Sequence, residues 1–342
     1  MQDAIITIDH KIDAISCANY PMGEPVSLFL REKRSAGNDV SDPPVVLFIH
    51  GGTYPAVADF DLPIEDYSWM AFLAARGFHA FAMDCVGYGY SSRHWLDNPA
   101  AADPDHVSAG AFLRSPQPDW KDIDSVVDFI RKRTSTDKIH LIGWSAGGPR
   151  AGGYAALHPD KVDRLILLAP AYFGGGADVS TDAPSPKGAP LRLTSRSVFD
   201  AMWDNEVKRA DQVDFDVREE VWSLLMKIDP VGASWDPPAV RSPNTSLEAI
   251  NRGWNRTMAS RITAPSLLIT MEWDVHVHPS TVETLFEDLV VDDKVFATIH
   301  GASHYMPWER DHALLHHLSA SWLRDGTAGG LRRGTLSIDP RR

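Results

Sequence analysis

A chain of 342 residues with 44% apolar side chains is long enough for one large α/β domain carrying an insertion, and its formal charge of −13 argues against nucleic acid and anionic membrane as partners. Its two cysteines, Cys17 and Cys85, show neither a disulfide framework nor a metal-binding spacing. No stretch reaches the ~18 apolar residues of a membrane span, and the start MQDAIITIDHKIDAIS is acidic and alternating rather than basic then apolar, so a soluble, cytoplasmic protein is expected.

Residues 4–16 and 25–34 alternate apolar with polar side chains, as an edge hairpin does. PPVVLFIH (43–50) is instead continuously apolar, the pattern of a strand covered on both faces of a parallel sheet, and it runs into GGTYP. Residues 64–77 have helical apolar spacing closed by Gly77, HAFAMDC (79–85) is a second buried strand, and the glycine-rich GYGYSSR (87–93) opens a Pro- and Ala-rich connection to about 117. A helix over 120–133, a strand over 138–144, a helix over 147–158 and the strand KVDRLILLAP (161–170) follow. Alternation then stops. Residues 171–261 hold a Gly, Pro and Ser stretch (173–190), helical patterns near 197–209, 216–228 and 246–260, and Trp203, Trp222, Trp235 and Trp254. This is too long for an ordinary loop and too aromatic for a linker. Alternation resumes with a strand at 264–270, a helix near 280–290, a strand at 294–300 and an amphipathic helix over 307–324. The expected organisation is an α/β core of residues 1–170 and 262–326, a mostly parallel sheet with helices on both faces, with a helical cap (171–261) inserted after the sixth strand and a mobile tail (327–342).

GWSAGG (143–148) sits where the strand 138–144 meets the following helix. A serine on so tight a turn needs a strained backbone with positive φ, and Gly143 and Gly147 are the small neighbours that such a turn requires. A serine hydroxyl needs a base, and the base an acid to orient it. The strand 264–270 runs into MEWDVHVHP, offering Glu272, Asp274, His276 and His278, and the strand 294–300 runs into HGASHYMPWER, offering His300 and His304. His312 and His316, four apart on a helix, read as a solvated face, and His276-Val277-His278 as surface or gate residues.

The order Ser, Asp, His on successive strand ends resembles the α/β-hydrolase superfamily over roughly residues 40–325, specifically its capped serine esterases. The resemblance implies Ser145 as nucleophile, Asp274 as acid in EWD and His304 as base in GASH, with His50-Gly51-Gly52-Thr53 as the oxyanion loop. Ala146 and either Gly52 or Thr53 then supply the backbone donors. GYGYSS after Asp84 is similar to a segment that supports structure in the family. Met271 stands where many relatives have glycine, and Glu272 rivals Asp274. The implied activity is hydrolysis of a carboxylic ester of an apolar or aromatic small molecule through an acyl-enzyme, with no cofactor or metal. C–C bond hydrolysis or lactone opening on the same triad, and a non-catalytic ligand receptor, are alternatives; dehalogenase and epoxide hydrolase relatives carry Asp where this chain has Ser145. The cap aromatics either wall an apolar chamber, together with Tyr54, Trp144, Trp203, Trp222, Trp254 and Tyr305, or merely pack the cap onto the core. Arg93, Arg150 or a cap arginine would serve a negatively charged substrate. The sequence leaves the oligomeric state open, a homo-oligomer included.

Overall fold

The computed structural model describes residues 4–18, 22–37, 43–103, 105, 113–174, 186–250 and 252–341. Its strands in chain order are β1 (Ile5–Ile15), β2 (Pro25–Ser35), β3 (Val45–Ile49), β4 (His79–Asp84), β5 (Ile139–Trp144), β6 (Val162–Leu168), β7 (Leu191–Ser195), β8 (Ala239–Pro243), β9 (Ser266–Met271), β10 (Lys294–Ile299) and β11 (Gly334–Ile338). Nine of them form one sheet in the order β1-β2-β4-β3-β5-β6-β9-β10-β11, parallel except where β2 pairs with β1 and β4. Every residue of β3, β5 and β9 is buried, which is why these strands read as unbroken apolar runs, whereas β1 alternates because one of its faces meets solvent. The loops after β3, β5, β9 and β10 therefore gather at one edge of the parallel sheet, where open α/β folds carry their sites.

Three expectations change. The helix expected over 64–77 is only Trp69–Ala74. Ser68 caps it by accepting the Ala71 N–H and donates its own hydroxyl to Asp61 at 2.5 Å, which holds the preceding residues in a turn, while a short helix, Ala56–Phe60, precedes it. The insertion after β6 contains helices Arg196–Glu206 and Val217–Ile228, but also the antiparallel ribbon of β7 and β8. The buried pair Arg241–Asp229 (2.7 Å) ties that ribbon to the end of the second helix. The glycine- and proline-rich stretch of the insertion lies partly outside the described residues (175–185), as does part of the connection before residue 117 (104 and 106–112). Finally, the tail expected to be mobile adds a ninth strand: β11 runs parallel to β10, in register from Val295 with Gly334 to Ile299 with Ile338. Among the described residues, no helix is long and apolar enough to cross a membrane.

The GYGYSS loop is held by Asp84, whose two carboxylate oxygens accept the N–H groups of Ala56 and Tyr90, each at 2.8 Å. Gly89 is required there, since it adopts φ of 49° and a Cβ would fall 2.0 Å from the Asp84 carboxylate.

Candidate active site

Ser145 has φ of 58°, the left-handed conformation a serine adopts only when its surroundings impose it. What imposes it is crowding: a Cβ on Gly143 would lie 2.3 Å from the Gly147 carbonyl oxygen, and one on Gly147 2.3 Å from that of Ile49. The turn is pinned at both ends. Ser145 N–H donates to Leu168 O (2.9 Å), and its carbonyl accepts from Gly148 (2.9 Å) and Ala171 (3.0 Å). The glycines continue into the helix Gly147–Leu157, where Gly152 and Gly153 let Trp254 and Trp120 pack against its backbone.

The loop after β3 closes over this turn, with a Cβ on Gly52 coming 3.2 Å from that of Ala146. A buried network fixes it. Cys85 N–H donates to His50 Nε2 (3.1 Å), which leaves the ring proton on Nδ1 to bond Gly51 O (2.7 Å). Burial, reinforced by the Arg150 charge, pushes the His50 pKa down to about 3, so the ring stays neutral. Arg150 donates to the carbonyls of His50 (2.9 Å) and Gly51 (2.7 Å) and pairs with Asp119 at 2.6 Å; Asp119 in turn accepts from Arg114. Burial works against the Asp119 carboxylate, but the two guanidiniums outweigh it and hold its pKa below the usual range. Asp122, in the same cluster, is pushed by burial up to about 7. From the other side, Asp59 accepts the Gly51 N–H at 2.9 Å. From the cap, Arg192 donates to Gly52 O and to Thr53 Oγ1 (2.7 Å). Arg150 thus serves the scaffold, and so does Arg93, which donates to Ile228 O (2.7 Å) and lies 3.3 Å from Asp229. The cap arginine at the cavity is Arg192.

Asp274 and His304 meet as expected, with Oδ2 to Nδ1 at 2.8 Å and both side chains buried. The second oxygen of Asp274 accepts the N–H groups of His276 (2.9 Å) and Val277 (2.7 Å), so its geometry is set by the loop that carries it. Glu272 is elsewhere, accepting from Gly301 N–H at 2.9 Å beside His300. Burial opposes a charged His304, yet the charge and hydrogen bond of Asp274, helped by the charge of Glu206, hold its pKa above the ordinary 6.5. Glu206 is a residue the sequence did not flag. It comes from the end of the cap helix Arg196–Glu206, is fully buried, accepts His304 N–H at 2.9 Å and pairs with His276 Nδ1. Glu206, Asp274 and His276 bring possible metal ligand atoms within 4.8 Å of one another, but these contacts already use them for hydrogen bonding. His278 bonds Ser280. His312 and His316, expected on a solvated face, are buried instead: His312 stacks on Tyr67 and His316 on Trp69, and burial takes the His316 pKa down to about 2.

Ser145 and His304 line one cavity of about 400 Å³, with Gly51, Gly52, Thr53 and Ala146 beside them. Tyr54, Trp144 and Tyr305 also form its wall. Trp203, Trp222 and Trp254 do not. Trp203 stacks on Trp308 (5.6 Å, 5°), Trp254 sits against Gly152 and donates to Ala171 O, and Trp222 packs on Phe199 and borders a separate surface groove. Phe215 is fully exposed. The insertion's share of the lining is Ala171, Phe173, Arg192, Met202, Thr245, Ser246 and Ile250.

The sequence profile of the alpha/beta hydrolase fold family matches residues 44–215, half of the chain, and the chain belongs to that family. Among solved structures, the enol-lactonase of Burkholderia xenovorans LB400 aligns with a TM-score of 0.56 and 16% identity over 87% of this chain and 96% of its own. The 2-hydroxy-6-oxo-6-phenylhexa-2,4-dienoate hydrolase of Rhodococcus sp. strain RHA1 gives 0.56 and 13% over 92% and 98%. At these identities the likeness is one of fold. A poly(3-hydroxyalkanoate) polymerase subunit of Haloferax mediterranei is 35% identical over 104 residues, 30% of this chain; the matched stretch spans only 18% of that relative's length.

Proposed function

We propose that the protein hydrolyses a carboxylic ester through an acyl-enzyme, with Ser145 as nucleophile, His304 as base, Asp274 as its orienting acid, and the backbone N–H of Ala146 with that of Gly52 or Thr53 as oxyanion donors. The observation that carries this reading is His304, paired with Asp274 at 2.8 Å, sharing a cavity wall with a serine held at positive φ. His304 Nδ1 is committed to Asp274, which leaves Nε2 to take the Ser145 proton as Oγ bonds to the ester carbon. His304 then passes that proton to the departing alcohol as the C–O bond breaks. Water, deprotonated by the same imidazole, releases the acid and restores Ser145. The aliphatic and aromatic lining favours an apolar or aromatic small molecule, and the reading places the chemistry in solution, in the cytoplasm.

A second reading, C–C hydrolysis or lactone opening on the same groups, draws support from Arg192, a cavity-lining cation that no carboxylate pairs among the described residues. Such a cation suits an anionic substrate, and the Rhodococcus neighbour is named for a dienoate. The test is turnover of p-nitrophenyl acetate, butyrate and octanoate by the wild type beside Ser145→Ala, with a fluorophosphonate label located by mass spectrometry. Multiple turnover that Ser145→Ala abolishes, with the label on Ser145, is expected. Inactivity on every ester with turnover of a vinylogous diketone moves the assignment to C–C cleavage, and a single slow burst moves it to a receptor.

A further inference from the structure

Arg192 leaves the insertion at β7 and ends on the loop after β3, where its Nη2 donates to Gly52 O and to Thr53 Oγ1 (2.7 Å). Its Nε donates to Ser242 Oγ at 3.3 Å, on the strand paired with its own, so the guanidinium is steadied from the ribbon side as well. No carboxylate pairs with it among the described residues. Its hydrogen bonds thus join the ribbon to the loop and balance no charge.

The peptide groups on either side of Gly52 explain what that contact does. Both are trans, so each N–H points opposite to the carbonyl before it. The Gly51 carbonyl is turned to His50 and Arg150, which do not line the cavity, and this turns the Gly52 N–H toward it, with no protein acceptor among the described residues. The Gly52 carbonyl is turned to Arg192 and to Tyr88 Oη, which donates at 3.3 Å. Glycine pivots readily about both of its backbone bonds, and the core holds the peptide after Gly52 only through that longer tyrosine contact. Without Arg192 the peptide is free to turn and bring its carbonyl oxygen beside the place where negative charge develops, where an N–H stabilises and a carbonyl repels.

We infer that Arg192 is a positioning residue: it holds the Gly52 carbonyl out of the oxyanion hole, leaving the Gly52 N–H as the second donor, so that the hole is complete only with the insertion docked on the loop after β3. The inference rests on the proposed ester hydrolysis and gives the insertion a part in the chemical step.

Initial rates with p-nitrophenyl butyrate and inhibition by butylboronic acid test this on the full-length protein. The boronic acid takes Ser145 Oγ onto boron, the serine proton passing to His304, and so sets a negatively charged tetrahedral group where the oxyanion forms. Arg192→Met lowers kcat/KM and weakens boronate inhibition by about 10- to 100-fold, less than the outright loss of a donor. Pentyl butanoate, followed by tryptophan fluorescence, binds Ser145→Ala with and without Arg192→Met to within about threefold, because the contact matters only once charge develops. Should Arg192→Met melt early, Arg192→Gln, polar but too short to reach Gly52 O, carries the same expectation. Tyr88→Phe separates the contact from the charge. Arg192 and Tyr88 share one carbonyl, so the double variant loses more than the product of the two single losses; a loss equal to that product means that Arg192 acts by its charge alone and overturns the inference. A loss confined to the anionic p-nitrophenyl hydrogen glutarate, with the neutral ester and the boronic acid unaffected, overturns it in favour of a ligand for a substrate carboxylate. An Arg192→Met protein as active and as inhibited as an active wild type removes the positioning role alone, whereas a wild type silent toward esters and boronic acid removes the hydrolase reading and the inference with it.

Discussion

The cavity has two halves built on different terms. On the core side, the groups around Ser145 are fixed by backbone that has no alternative: glycines that cannot carry a Cβ, and a loop held through His50, Asp59 and Arg150 by buried hydrogen bonds. On the cap side, the lining is partly exposed and comes from the β7 and β8 ribbon, the helix Arg196–Glu206 and the segment after β8. Among the described residues of the insertion, Arg192 contacts the loop after β3, and Glu206 and Gln212 contact the loop that carries His304. Preorganised groups act on developing charge without reorganising, and under the proposed mechanism the core half would supply them. Under the same proposal the cap half would shape what can enter.

If that division is right, the largest effect belongs to the core. Ser145→Ala lowers ester turnover by about 10⁴- to 10⁶-fold, measured by initial rates at saturating substrate. A loss below tenfold would remove Ser145 from the chemistry. Next is Arg150, which does not line the cavity but holds the loop after β3, the proposed source of an oxyanion donor. Arg150→Met strands the buried Asp119 carboxylate beside Arg114 alone and costs about 3–5 kcal/mol of stability in urea unfolding. A variant within about 1 kcal/mol of the wild type, a loss a single ordinary hydrogen bond could cause, would show that the network is not what holds the loop.

These two residues also mark how far the sequence could be read. The strained turn at Ser145 and the pairing of Asp274 with His304 were legible because such features leave local signatures: small residues around the turn, and polar residues just beyond buried strands. Arg150 was visible only as a charge, because its partners Asp119 and His50 lie 31 and 100 residues away. Glu206 and Asp59 were missed for the same reason, as a lone acid in a helix gives no sign that it will be buried against a histidine or a loop N–H. The error over His312 and His316 arose because the face they share packs on Tyr67, just before the shortened helix Trp69–Ala74, and on Trp69 at its start, and a helical period says which residues share a face, not what covers it. β11 was missed because GTLSI is five residues, with a glycine at its start and little apolar content, yet pairing along one exposed edge suffices to order it. The cap tryptophans were counted correctly, but composition cannot tell a wall from the packing behind it.

Glu206 is where the two halves meet, so it tests the comparison at its seam. The raised pKa of His304 means that activity is lost on the acid side at a pH above the 6.5 of a free imidazole, because the base must be neutral. Stability runs the other way. A histidine whose folded pKa is raised contributes stability fully below its unfolded pKa and loses that contribution as pH rises through the folded value. Glu206→Gln removes one of the charges that favour the imidazolium, so the acid limb of the kcat/KM profile moves to lower pH, with a fall in kcat of up to about tenfold from loosening the backbone contact to His304. An unmoved acid limb would mean that the cap does not tune the base.

The smallest effect separates lining from filling within the cap itself. Met202 faces the cavity and Trp222 does not, although both come from the two main cap helices and both would pass as substrate-contacting apolar residues by sequence. Met202→Ala enlarges the chamber and moves the preferred ester toward a longer chain, with a change of less than about tenfold in kcat/KM for the best substrate. Trp222→Leu removes the packing on Phe199 and lowers the melting temperature, but leaves the chain-length profile where it was. Rates across acetate to octanoate esters for both variants decide the matter. If Trp222→Leu shifts the profile as much as Met202→Ala, then the cap rearranges when substrate enters, and its aromatics act on the ligand through a closure that the unliganded arrangement does not display.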